Sequence, residues 1–90
     1  MSGYRAAEQV RWAVEAGGIV VIDHKGEATT LGYPQAAIWD LLTRGESEER
    51  ACAKLCAIAS LDREAAQALM LDTVSTLREA GLLTQRGSDG

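Results

Sequence analysis

The sequence has no phenylalanine, one proline and one histidine, and its aromatics are two tryptophans and two tyrosines. A core built without phenylalanine must draw on aliphatic side chains, which makes Trp12 and Trp39 structural anchors before they are binding platforms. A single histidine, His24, placed in glycine-bearing turn chemistry, offers no positioned acid–base pair. Two cysteines are too few for a thiolate zinc cage, and their number fits free thiols in a reducing compartment. Basic runs are missing and the net charge is −4. The lysine and arginine term that dominates affinity for phosphate backbones is therefore weak, which argues against nucleic acid. No apolar run approaches the length of a membrane span. The opening MSGYRAAEQVR lacks the apolar region of a secretory signal, so a cytosolic (cytoplasmic) protein without membrane contact is expected.

What is present is a single-domain pattern over residues 1–90, with an ordered core expected from about residue 10 to 83. The stretch Gly17–Leu42 organises it. Ile19-Val20-Val21-Ile22 has the β-branched composition of a buried strand. Asp23-His24-Lys25-Gly26 is a turn, and Glu27-Ala28-Thr29-Thr30-Leu31 returns as another strand. Upstream, Val10, Trp12 and Val14 alternate with mostly polar residues, predicting a first strand over 10–15 with those three inward. A helix over Ala6–Ala16 is the competing reading of that segment. Three strands in a meander result, over 10–15, 19–24 and 27–31. Residues 1–8 read as a mobile lead-in.

Three helices follow. Pro34 suits a first helical position, and Ala37, Ile38, Leu41 and Leu42 form an apolar stripe flanked by Trp39, with Gly45 as the stop. Ser47 caps a second helix running to about Ala59, with Cys52, Leu55, Cys56 and Ala59 on one face. Asp62 caps a third, over about Arg63–Ala80, in which Ala66, Met70, Val74 and Leu77 face the core. Leu69 and Thr73 flank that stripe on one side and Leu71 on the other. Gly81 ends it. Leu82-Leu83 is expected to fold back onto the core, with a frayed tail over Thr84–Gly90. The fold class is thus α+β, a three-stranded antiparallel meander followed by three α-helices.

No convergent set of catalytic groups emerges. Cys52 and Cys56, four apart on one helix face, read as small core hydrophobes. No metal or cofactor site, glycine-rich phosphate loop or carboxylate pair is indicated. The sharpest feature is the third strand, Glu27–Leu31. It has one partner and one open edge, and no lysine or proline blunts that edge. Either the edge is covered, or it captures an extended peptide by strand addition. Two other functions compete. A winged-helix DNA regulator is opposed by charge: from Glu46 to Glu79 there are seven acidic residues against four basic. A self-associating subunit would pair third strands across a two-fold axis as a homodimer.

The strand ending Val-Val-Ile-Asp, the glycine turn, the strand closing on Leu31, the segment Ala37-Ile38-Trp39-Asp40-Leu41-Leu42, and the ending Leu77-Arg78-Glu79-Ala80-Gly81-Leu82-Leu83 resemble the PqqD-like family in order and spacing over roughly Val10–Leu83. The resemblance implies a winged-helix-like fold and a non-enzymatic role. Such a protein is a recognition element, or peptide chaperone, for ribosomally made and modified peptides. It holds the leader region of a precursor peptide on the third strand's edge and presents it to a tailoring enzyme: a radical SAM enzyme, a cyclodehydratase or a leader peptidase. By position, the implied peptide-binding residues are Ala28, Thr29, Thr30 and Leu31 on the strand, and Leu69, Met70 and Thr73 on the third helix. His24-Lys25-Gly26 and Thr43-Arg44-Gly45 stand where the quinone-cofactor chaperone carries Pro-Glu-Gly and Cys-Asp-Gly. These departures argue against that specific pathway, and a chaperone for some other peptide product, lasso peptides included, is equally compatible with the resemblance.

Overall fold

The turn at Asp23 sets the register of the sheet. One carboxylate oxygen of Asp23 accepts from the backbone N–H of Lys25 at 2.8 Å and of Glu27 at 2.9 Å. The Asp23 N–H in turn donates to the Glu27 carbonyl at 3.0 Å. This Asx-type closure, with Gly26 at φ +86°, reverses the chain. The hydrogen bond from Glu27 is the main reason the Asp23 carboxyl lies below its ordinary value, joined by the bond from Lys25 and the charges of His24 and Lys25. A depressed native value means the turn's stabilisation is complete above the unfolded carboxylate range and is lost as pH falls through the native value. In an acid titration followed by NMR, the Lys25 and Glu27 amide resonances are expected to move together, with a midpoint below that of an ordinary aspartate. A midpoint at the ordinary value would show that the turn does not depend on this carboxylate.

The computed structural model describes residues 3–85. In chain order the elements are β1 (Tyr4–Ala6), β2 (Arg11–Glu15), β3 (Gly18–Ile22), β4 (Ala28–Gly32), α1 (Gln35–Thr43), α2 (Glu48–Ala59), α3 (Arg63–Glu79) and β5 (Leu83–Gln85). The predicted meander is β2-β3-β4, antiparallel throughout. Ile19, Val21 and Leu31 point to its inner face and are buried, where the helices pack. α1 lies against β4 and β1, α2 against α1 and α3, and α3 against β5. Ile38, Trp39 and Leu42 of α1, with Leu55 of α2, are the largest side chains at the centre of the core, together with Leu82 and Val21.

The caps behave as local chemistry dictates. The Ser47 hydroxyl accepts from the Arg50 N–H, and the Asp62 carboxylate accepts from the Ala65 N–H at 2.8 Å, each satisfying a donor that the first helical turn leaves open. Pro34 is the residue just before α1 rather than its first helical residue.

Four further expectations are corrected. The lead-in is not loose: Tyr4–Ala6 pairs antiparallel with Leu83–Gln85 to form a second, two-stranded sheet, Tyr4 is buried, and the Arg78 guanidinium sits 5.9 Å over its ring. The same pairing orders Thr84 and Gln85; the remainder of the expected tail, 86–90, lies outside the described residues. Trp39 does not flank the α1 stripe but is fully buried at its centre. Finally, Trp12 and Val14 are on the inner face, opposite Val21 and Ile19, yet remain 41% and 74% exposed. They overhang the helical layer because β2 is the margin of the sheet. Trp12 reaches Trp39 edge-on, with ring centroids 5.4 Å apart and planes at 83°.

Candidate functional site

β4 has β3 on one side and no strand on the other. Which of its residues face the open side follows from the turn. Asp23 and Glu27 form a hydrogen-bonded pair, and such pairs alternate along an antiparallel ladder. The next bonded pairs are therefore Val21 with Thr29 and Ile19 with Leu31, in the observed register. Thr29 and Leu31 spend their backbone groups on β3. Ala28, Thr30 and Gly32 turn theirs outward. The side chains obey the opposite division: Thr29 and Leu31 lie on the inner, helix-packed face with Val21 and Ile19, and Ala28 and Thr30 on the outer face.

Ala28, Thr29 and Thr30 are all exposed, and Leu31 is buried. Between Glu27 and Gln35 the chain carries no charge, so an incoming backbone would meet no charged side chain there. At its far end the β4 backbone approaches Gly18 so closely that no side chain would fit there.

On α3 the implied residues divide by burial. Met70 belongs to the same hydrophobic cluster as Leu31, Leu69 packs on the margin of that cluster, and Thr73 is buried with its hydroxyl unpartnered. α1 touches both β4 and α3. Leu69 is thus the α3 side chain with surface to offer, while Met70 and Thr73 lie beneath the surface.

Other concave surfaces lie elsewhere. One of about 470 Å³, lined by Tyr4, Leu71, Val74 and Arg78, is on the side of α3 that meets β1. Another, of about 460 Å³, lies between α2 and the start of α3 and holds Cys52 and Cys56 with Arg63 and Gln67. Both thiols are free and half-buried, packed on the core as small hydrophobes, and burial pushes the Cys52 thiol above its ordinary value. That is the opposite of an activated nucleophile. His24 is exposed in its turn. Among the described residues no three histidine, cysteine or acidic side chains converge as a metal site, and no helix is long and apolar enough to cross a membrane.

The family model described as PqqD, coenzyme PQQ synthesis protein D, matches residues 18–83. The chain belongs to the PqqD family. Two solved structures share this PqqD fold. A lasso peptide synthetase B1 complexed with the leader peptide has a TM-score of 0.82 at 24% identity, covering 90% of this chain and 96% of that one. TbiB1 in complex with the TbiA(beta) leader peptide has a TM-score of 0.82 at 25% identity, covering 92% of this chain and 95% of that one. No curated protein matches the chain. The α+β architecture expected from the sequence, an antiparallel three-stranded sheet with three helices, is the one these solved structures share.

Sequence reasoning missed two features of this site. The outward-facing set, Ala28 and Thr30 rather than all four edge residues, was legible only in principle, since it depends on which atoms close the Asp23 turn. The second is the other open edge, β2: the sequence reading weighs only the third strand's edge and takes residues 1–8 as a mobile lead-in, whereas β1 pairs with β5 and leaves β2 as a free margin.

Proposed function

We propose that this PqqD-family chain is a non-catalytic recognition element. It captures the leader region of a ribosomally made precursor peptide as an added strand on β4 and presents it to a tailoring enzyme. The observation that carries this reading is the open, uncharged edge of β4, with the outward backbone groups of Ala28 and Thr30, on a fold whose solved likenesses hold leader peptides. Strand addition supplies affinity through backbone bonds worth about 0.5–1.5 kcal/mol each, net. Selectivity comes from leader side chains on the inner face. These meet Thr29 and the exposed margin at Leu69, with Leu31, Met70 and Thr73 forming the floor beneath. Two or three apolar leader side chains would add roughly 1.5–3 kcal/mol each before ordering costs.

Nothing in this mechanism requires a metal, a cofactor or a titrating side chain. The client is an enzyme acting on the bound precursor, of the radical SAM, cyclodehydratase or leader-peptidase class, and the setting is the cytoplasm, where ribosomal precursors are made. A DNA-reading role is disfavoured by the acidic start of α3, Asp62 and Glu64, where a recognition helix would meet phosphate.

The test is an amide titration of ¹⁵N-labelled protein with synthetic leader peptides encoded beside its gene. Shifts are expected at Ala28, Thr30 and Gly32 and along the Leu69 side of α3. A folded sample whose β4 amides stay silent with each neighbouring leader would overturn the reading.

A further inference from the structure

Every residue of β2 is exposed, and β2 is the other open margin of the sheet. Of the five large hydrophobics left exposed among the described residues, Trp12 and Val14 are on this strand. Val14 also lines a shallow cavity of about 290 Å³ with Ile19, Tyr33 and Ile58, two of which are themselves among the five. An unprotected edge bordered by apolar side chains recruits another strand.

The ladder fixes how. β3 turns Val21 and Ile19 toward β4, so Val20 and Ile22 bond toward β2, and with them pair Ala13 and Arg11. By alternation, Trp12 and Val14 present their N–H and C=O groups to the open side. An antiparallel strand centred on Ala13 meets this set if it, too, has outward groups one residue either side of its centre. β2 itself does. In that register Trp12 stands opposite Val14 of the second copy, and Arg11 opposite Glu15 of the second copy. The charges at the two ends of the strand are opposite in sign, and among the described residues neither Arg11 nor Glu15 has an ion-pair partner within the chain. Trp12 of the second copy would settle beside Val14 and its cavity, an aromatic–aliphatic cross-strand pair on the inner face.

We infer that β2 is a self-complementary interface, and that two copies of this chain join through it about a two-fold axis to make one continuous six-stranded sheet. About four backbone hydrogen bonds cross the axis, flanked by two Arg11–Glu15 pairs on the outer face and two Trp12–Val14 pairs on the inner. β4 offers no equivalent: its open segment, Ala28–Gly32, has no charge to pair with itself and its inner-face leucine is already buried. A dimer through β2 leaves both β4 edges at the far ends of the sheet. It therefore does not compete with a peptide there, unlike a homodimer through the third strand of the meander.

The test is sedimentation velocity of the full chain over a wide concentration range, with charge-swapped variants. Arg11 and Glu15 face Ile22 and Gly18 within the chain, so exchanging them leaves no internal pair broken. Wild type is expected to dimerise. Arg11→Glu sets like charges opposite each other twice over and weakens the dimer by about tenfold or more, and Glu15→Arg does the same. The double variant Arg11→Glu/Glu15→Arg restores opposite signs in the same register and recovers the dimer. Three results would overturn the inference: a wild-type chain monomeric at every concentration, a dimer indifferent to either single change, or a dimer dissolved by Thr30→Pro but not by Arg11→Glu. Leader binding is scored on the same samples. Monomeric Arg11→Glu is expected to bind leader peptides as wild type does, so the leader reading and the dimer can fail separately.

Discussion

Replacing Gly18 with alanine is expected to lower the melting temperature by roughly 12 °C or more, a cost of about 3 kcal/mol for a domain of this size. Gly18 has φ +154°, and a Cβ built there would lie 2.0 Å from the Leu31 carbonyl oxygen, 3.0 Å from the Leu31 carbonyl carbon and 3.2 Å from the Gly32 Cα. All three atoms are backbone, so no rotamer change relieves the clash; β3 and β4 must part. Gly18 and Gly32 are opposite one another in a non-bonded pair, where strands approach most closely, and glycine in both places permits that approach. Gly17→Ala is the matched control. A Cβ there meets nothing within 4 Å, and its effect is expected within about 0.5 kcal/mol. Thermal unfolding followed by circular dichroism reads both. Gly18→Ala melting beside the parent would show that β4 can yield at this end without cost.

The helices and the meander were legible because their determinants are local. Ser47 and Asp62 cap α2 and α3 with their own side chains, Asp23 closes its turn within four residues, and Leu82 and Leu83 are buried as the terminal hook required. What escaped was non-local. β1 and β5 are three residues each, too short for any periodicity, and they find each other from opposite ends of the chain. The alternation at Trp12 and Val14 reported their face correctly but not their burial. Period two says which way a side chain points, and only the extent of the helical layer says whether anything covers it. The candidate site shows the same limit. The β4 edge could be read from its composition, whereas on α3 the helical period grouped Leu69, Met70 and Thr73 without revealing that only Leu69 keeps exposed surface. Local chemistry left the edge open between two readings, covered or peptide-capturing; the resemblance to the PqqD-like family, carried by the order of soft motifs, is what favours the second.

Thr30→Pro is expected to weaken leader binding by about ten- to a hundredfold while leaving the protein folded. The Thr30 N–H points away from β3, so proline there removes a donor that the folded chain does not use. Edge strands accept proline in that orientation. An added peptide strand does use it. It loses one backbone bond of about 0.5–1.5 kcal/mol, and the pyrrolidine ring stands in the space that its carbonyl must enter. Thr29→Pro, one residue away, has the opposite character. The Thr29 N–H is committed to Val21 across the ladder, so its loss is charged to folding, about 3 kcal/mol, before any peptide is present. Isothermal titration with a leader peptide and thermal unfolding of both variants separate the two. Weak binding with an unchanged melting temperature for Thr30→Pro, beside a strongly lowered melting temperature for Thr29→Pro, is the signature of capture at this edge in this register. If the two variants exchange these behaviours, the register is shifted by one residue and Thr29 becomes the outward donor. If Thr30→Pro binds leader as tightly as wild type, the peptide is held elsewhere.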